Sequence, residues 1–268
     1  MLNHALTRDE RHHWERDHRL ILRCPFDAAE LDQLAGWAAE LEGWPETPGR
    51  WMKYFETVDE ANPRQLCRVE NFLPYHDGLR ALIAGDSVRR ILTELMGEAP
   101  CLFKEKINYK LPGGGGFEAH QDAPAFKGFG QRYHITFLVA FDAQTRENGR
   151  LEFADPVDVN DMLPQGPGGA IDAAVEERLT WRPLELAPGD VVFFDSYIPH
   201  RSGSNRSGDP RRALYVTYNR RSEGDRRDDY YADKRAKFPP ECEREAGVDY
   251  SAAESLYNLG NPIRNPTR

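Results

Sequence analysis

Between Asp27 and Leu41 apolar residues recur at helical spacing, with Asp27 at the front and Glu30 three residues on. The pattern predicts an amphipathic helix opened by a capping box. Two shorter helical stretches, Gly78 to Ala84 and Ser87 to Leu95, are broken at Gly85 and Asp86 and stopped at Gly97, so the front third, about 1–99, reads as mostly helical. From Cys101 the period changes. The runs LFKEKINYK, YHITFLVAF, RLEF, WRPLELA, DVVFFDS and RALYVTYN are separated by PGGGG, ENG and APGD. Many short strands at this spacing predict a jelly roll or barrel and not a βαβ sheet. The expected fold is mainly β with flanking helices, a jelly roll or barrel over about 100–220.

Two segments interrupt this pattern. The insertion at 154–179, rich in Gly, Pro and Asp, reads as a surface loop with one helical turn, and its length suits a lid. After Asn219 the charged run RRSEGDRRDDYYADKRAKFPPE reads as an outer helical tail.

Composition narrows the function classes. Among 268 residues, 35 Lys plus Arg stand against 44 Asp plus Glu, a net charge of -9, which argues against nucleic acid as a partner. With 40% hydrophobic and 29% charged residues the chain suits a folded globular protein, here expected as one domain over 1–268. Its charged start lacks an apolar signal core and no run of 18 apolar residues occurs, so neither secretion nor a membrane is expected. Cys24, Cys67, Cys101 and Cys242 are widely spaced without C-x-x-C, which fits reduced thiols in a cytoplasm. Monomer and homodimer both remain open.

The chemistry concentrates in GGGGFEAHQD. His120 and Asp122 lie two apart at the expected end of a strand, after glycines that relax the backbone, so both side chains can project to one side. Two imidazoles and one carboxylate on one face of an Fe(II) ion leave positions open for a co-substrate and dioxygen. His200, in the turn after VVFFDS, is the candidate third ligand, and Arg211 opens the next strand eleven residues later. His13-Trp14-Glu15 has the same spacing but reads as solvated surface. His134 reads as a hydrogen-bonded core or pocket histidine, and His76 as a loop residue.

The segments HQD at 120–122, PHRSGSN and PRRALYVTYN together resemble the phytanoyl-CoA dioxygenase family of Fe(II)/2-oxoglutarate oxygenases, over roughly residues 100–220. The resemblance implies a cupin-like double-stranded β-helix (jelly roll), iron on His120, Asp122 and His200, and the 2-oxoglutarate carboxylate on Arg211. A guanidinium fork suits that carboxylate with two parallel hydrogen bonds. Arg212 is the weaker alternative, since neighbouring strand residues face opposite ways. KINYKLPGGGGFEAHQD further resembles the ectoine hydroxylase branch, which implies Asn108 and Phe117 in the co-substrate pocket. Thr136 is a candidate donor to the same carboxylate. With Asp at 122, hydroxylation is favoured over halogenation.

Alternation in LFKEKINYK places Lys104 and Lys106 on the side of Asn108, with Phe103, Glu105 and Ile107 opposite. Inward ammonium groups need anions: 2-oxoglutarate, Glu118, or an anionic group of the substrate. Otherwise the strand frays and the lysines reach solvent. Trp51 to Phe55 either cover the substrate or pack on the barrel. The expected reaction uses Fe(II), 2-oxoglutarate and O2 to hydroxylate a C–H bond of a small polar, anionic or zwitterionic metabolite, such as an aminophosphonate or amino acid derivative, and releases succinate and CO2. The rival readings are a non-catalytic cupin-like binder of metal or 2-oxoglutarate, and a zinc hydrolase, for which no general base is evident.

Overall fold

In the computed structural model the described residues are 2–155, 161–258, 260 and 262–263. Among the described residues eleven strands form two antiparallel sheets. In chain order they are β1 (Arg19–Leu22), β2 (Met52–Glu56), β3 (Gln65–Glu70), β4 (Pro100–Lys110), β5 (Phe117–His120), β6 (His134–Ala140), β7 (Leu151–Ala154), β8 (Trp181–Leu184), β9 (Val191–Asp195), β10 (His200–Ser202) and β11 (Arg211–Arg220). The major sheet runs β1-β9-β6-β11-β4-β3-β2 and the minor sheet β5-β10-β7-β8. Leu138, Phe194, Ala213 and Tyr215 of the major sheet share one apolar cluster with Leu151, Phe153 and Leu184 of the minor sheet. The inner faces of the two sheets therefore meet, as a jelly roll requires.

The outer face of the major sheet is sealed by helices α2 (Ala28–Gly43), α3 (Asp77–Ile83) and α4 (Asp86–Met96). Leu34, Ala38, Leu41, Leu79, Ile91 and Leu92 from these helices pack with Val69, Ile107, Phe137, Val139, Phe193, Leu214 and Val216 from the strands. The expected capping box exists: the Glu30 N–H donates to Asp27 Oδ1 at 2.9 Å and the Asp27 N–H to Glu30 Oε2 at 3.1 Å. The break between α3 and α4 falls where Gly85 and Asp86 place it.

The front third is less helical than its periodicity suggests. It contains β1 to β3, which lengthen the major sheet at both edges. These runs are only four to six residues long, too short for a clear period; β1 pairs with β9 far along the chain, while β2 and β3 pair with each other and join the sheet through β4. The charged tail also differs from an exposed helix. Helix α6 (Arg227–Lys237) buries Tyr230, Tyr231 and Lys234, and Lys234 Nζ meets Glu70 of β3 at 2.7 Å. Among the described residues no helix is long and apolar enough to cross a membrane.

At the end of β9, Asp195 is buried, and burial pushes its carboxyl from an ordinary value of 3.8 to about 7; the N–H of Tyr197 and the hydroxyl of Tyr133 offset this only in part. A carboxyl whose pKa is raised on folding binds a proton more tightly in the native state. It therefore stabilises the fold at low pH and loses that effect as pH rises from about 4 to 7. Replacing Asp195 by Asn should remove the slope. Relative to the variant, the wild type should lose on the order of 2 kcal/mol of urea-unfolding free energy between about pH 5 and pH 8.

Candidate metal and anion site

Strands β5 and β10 place the two histidines. His120 pairs with His200 and Phe117 with Ser202, so the register slips by one residue between them. This bulge lets Phe117 and His120, three positions apart, face the same interior, where strict alternation would separate them. The strand ends at His120. Asp122 heads the 3-10 turn Ala123–Ala125 with φ -74 and ψ -30, so it reaches the site through a turn and not through strand alternation.

One ligand atom from each of His120, Asp122 and His200 lies within 4.8 Å of the others, and all three residues are buried. The imidazole centroids are 4.2 Å apart. His120 donates from Nδ1 to the Glu118 carbonyl at 2.7 Å, and His200 from Nδ1 to the Ile198 carbonyl at 3.0 Å. Each ring is thereby held in the tautomer that leaves Nε2 as a lone-pair donor. Burial lowers both imidazole pKa values, with mutual proximity adding to the effect at His120, which falls to about 3. Burial alone would raise Asp122, but His200, Lys106, Lys104 and His120 outweigh it and hold the carboxylate below its ordinary range. Two neutral imidazoles and one carboxylate, with no further clustered His, Cys or acid among the described residues, fit a divalent ion that keeps open positions.

The glycines before this site serve close packing more than freedom. The Gly115 N–H donates to Glu56 Oε2 at 2.8 Å, and a Cβ on Gly115 would lie 2.5 Å from Pro262 Cβ.

A second feature is cationic. In the pairing of β4 with β11, Lys110, Asn108, Lys106 and Lys104 stand opposite Arg211, Ala213, Tyr215 and Thr217, all on the inner face. Arg211 is buried. Its Nη2 donates to Gln144 Oε1 at 2.9 Å, while its Nε has no acceptor. Among the described residues no carboxylate lies within 4.0 Å of it, which makes it a candidate receptor for an anion. Lys110 was not singled out from the sequence. Its Nζ donates to Ser202 Oγ at 2.7 Å and to the Gly203 carbonyl, and lies 5.1 Å from the centre of the half-buried Phe117 ring. Arg212 faces the other way and is occupied by Asp142 at 2.8 and 2.9 Å, which removes it as the alternative. Asn108 accepts from Arg68 Nε at 3.0 Å.

Lys104 and Lys106 do point inward. Lys104 is buried with Nζ 4.5 Å from the Phe126 ring centre, and the half-buried Lys106 has Nζ 5.3 Å from that of Tyr215. Among the described residues neither has a carboxylate within 4.0 Å. Burial lowers both ammonium pKa values, and Arg68 and Lys104 lower Lys106 further. Glu118 is exposed on the opposite side of β5 and is not their partner. Phe103 departs from the alternation. The register slips opposite Thr217 and Tyr218, and Phe103 packs inside with Phe126 and His134.

Thr136 is a correction. It stands opposite Thr217, with the hydroxyls 3.3 Å apart. Arg211 begins the same strand six positions away, roughly 20 Å along an extended chain. Thr136 and Arg211 cannot share one carboxylate.

His134 is the hydrogen-bonded core histidine expected, with Nε2 3.0 Å from Gln131 Oε1. His76 is more than a loop residue, since its Nδ1 caps α3 by accepting the Leu79 N–H at 3.0 Å. His13 pairs with Asp17 on helix α1 (Arg8–Asp17), away from the triad. Trp51 packs on Trp44 and Tyr75, and the Tyr54 hydroxyl is taken by the Phe238 carbonyl at 2.8 Å, so these aromatics act in packing. Gln121, the middle residue of HQD, was overlooked. It points away from its neighbours, donates to the Tyr197 and Asp161 carbonyls and accepts from the Leu163 N–H at 2.7 Å. It thus ties the 154–179 insertion to the triad. Within that insertion the single turn α5 (Ala173–Glu176) is present; residues 156–160 lie outside those described.

Residues 14–213 match the protein family described as phytanoyl-CoA dioxygenase (PhyH). The chain is 50% identical over 258 residues to a 2-aminoethylphosphonate dioxygenase from uncultured bacterium HF130_AEPn_1, covering 96% of this chain and 98% of that one. It is 41% identical over 256 residues to a methylphosphonate hydroxylase from Gimesia maris, covering 95% and 94%. Among solved structures, EctD from S. alaskensis with 2-oxoglutarate and 5-hydroxyectoine superposes with a TM-score of 0.67 at 19% identity, covering 81% of this chain and 77% of that one. EvdO2 from Micromonospora carbonacea var. aurantiaca, complexed with 2-oxoglutarate, gives 0.64 at 21% identity, covering 80% and 91%. The jelly-roll fold is shared with both.

The converging donors predict that apoprotein takes up one Fe(II) or Co(II) per chain. Replacing His200 by Ala should weaken Co(II) binding, read from its visible absorption, by at least roughly 100-fold, more than the loss typical of an outer partner.

Proposed function

We propose a substrate and a division of labour for this chain, which belongs to the phytanoyl-CoA dioxygenase family and is an Fe(II)- and 2-oxoglutarate-dependent oxygenase. His120, Asp122 and His200 hold the iron, and Arg211 grips the distal carboxylate of 2-oxoglutarate with Lys110 beside it. When bound, the iron centre with 2-oxoglutarate and dioxygen supplies hydroxylation of a substrate C–H bond, with succinate and carbon dioxide as the other products. What this chain adds is orientation and charge. Gln144 fixes one arm of the Arg211 guanidinium, so the fork is set before the carboxylate arrives. The Nδ1 hydrogen bonds of both histidines keep their Nε2 lone pairs turned to one point.

The substrate is an aminophosphonate. The observation that carries this reading is the pair of inward ammonium groups on Lys104 and Lys106 without a carboxylate partner among the described residues. Buried cations of this kind are costly until an anion meets them, and they lie close enough to Asp122 to shift its pKa. A phosphonate placed there brings its adjacent C–H bonds to the metal. The name of the 50% identical relative supports the same chemistry.

Two substitutions should separate the anion sites. Arg211→Met should raise the KM for 2-oxoglutarate roughly 10- to 100-fold, the worth of a charge-assisted hydrogen bond, with the substrate KM little changed. Lys106→Met should do the reverse, raising the KM for 2-aminoethylphosphonate by a similar factor. If neither 2-aminoethylphosphonate nor a related phosphonate accelerates succinate release over a panel of amino acids and betaines, the substrate assignment fails.

A further inference from the structure

The family match ends at residue 213, yet the chain returns to the triad after it. Helix α6 is followed by a short helix α7 (Glu254–Tyr257), which lies against the 3-10 turn that follows Asp122. Tyr257 and Ile263 are buried in one apolar cluster with Ala125 and Phe126 of the segment leaving Asp122. The Tyr257 hydroxyl donates to Asp233 on α6, and Asn258 Nδ2 to the Ile263 carbonyl. Between these anchors Gly260 meets β5. Its carbonyl accepts the Glu118 N–H at 2.8 Å, and the Glu118 carbonyl in turn accepts from His120 Nδ1 at 2.7 Å.

The fit around Gly260 is close. A Cβ there would lie 2.9 Å from His120 Nδ1 and 3.0 Å from the Glu118 carbonyl oxygen, and φ is +62. Any side chain at 260 would press on the imidazole at the nitrogen that sets its tautomer. The neighbouring Pro262 meanwhile occupies the space over Gly115.

We infer that the C-terminal segment around Gly260 is a positioning element for the metal centre: through the Glu118 peptide and by direct packing it fixes the ring of His120 with Nε2 turned to the metal. Gly260 is a positioning residue and touches no substrate. The inference rests on the reading of His120 as a metal ligand.

The test is equilibrium Co(II) binding by full-length protein, followed by visible absorption. Gly260→Ala should weaken binding roughly 10- to 100-fold, the usual effect of disturbing the partner that orients a ligating histidine. The control is Gly247→Ala. Gly247 has φ +81 with nothing within 4 Å of an added Cβ, so it carries the same backbone penalty without the contact, and its affinity should stay within about twofold of wild type. Wild-type affinity in Gly260→Ala, or an equal loss in both variants, would overturn the inference.

Hydrogen exchange on the unaltered protein provides a measurement independent of either variant folding. Peptides covering 117–120 and 257–263 should be protected together and gain protection together on Co(II) binding. A gain confined to 117–120 would also overturn it. His200→Ala separates the two levels. If that variant keeps the metal, the ligand assignment itself fails; if it loses the metal while Gly260→Ala does not, only the positioning role fails.

Discussion

Strand β11 pairs with β4 in a register that sets Arg211 opposite Lys110, Tyr215 opposite Lys106 and Thr217 opposite Lys104. Side chains of paired residues share a face, so this one register loads the interior of the barrel with cations. Arg68 enters the same face opposite Asn108. Glu70 is there too, but it is engaged by Lys234 and Arg68, and Asp122 belongs to the metal triad. What is left is positive charge in a place where uncompensated charge is costly. The protein tolerates it through aromatic faces at Phe126, Tyr215 and Phe117 and a few carbonyls. On the proposed function, anionic co-substrate and substrate complete the balance, and binding energy follows from that deficit.

The metal half obeys a different logic. Its candidate ligands come from β5, from the turn after it and from β10, and two of the three depend on irregularities: a bulge brings His120 inward and a 3-10 turn returns Asp122. Bulges of this kind re-aim side chains next to functional sites. Gln121, between the two ligands, faces the other way and holds the insertion. One tripeptide thus serves the candidate metal site on one side and residues Asp161 and Leu163 of the insertion on the other.

The parts legible in the sequence are those whose signal is local. The capped helix from Asp27, the paired helices around Gly85, the strands from Cys101 onward, and His120, Asp122, His200 and Arg211 all announce themselves through spacing or a nearby motif. Alternation put Lys104 and Lys106 on the side of Asn108, which the family resemblance set in the pocket, and favoured Arg211 over Arg212. The parts that escaped depend on which strands become neighbours. Thr136 looked suitable until the register put it at the far end of β11 from Arg211. Strands β1 to β3 are too short for a clear period, and the strands that hold them in the sheet, β9 beside β1 and β4 beside β3, are remote in the chain. Glu118 was offered as a partner for the lysines, but the bulge turns it outward. Nothing in the run of glycines before His120 revealed that Pro262 would lie against Gly115, because that contact spans well over one hundred positions.

Oxygen bookkeeping tests the central claim most directly. Turnover of 2-aminoethylphosphonate with 2-oxoglutarate and Fe(II) under oxygen-18 gas, analysed by mass spectrometry, should place one labelled atom in the hydroxyl of the product and one in succinate. A product carrying only oxygen from water, or succinate formed with no hydroxylated phosphonate, would contradict the account.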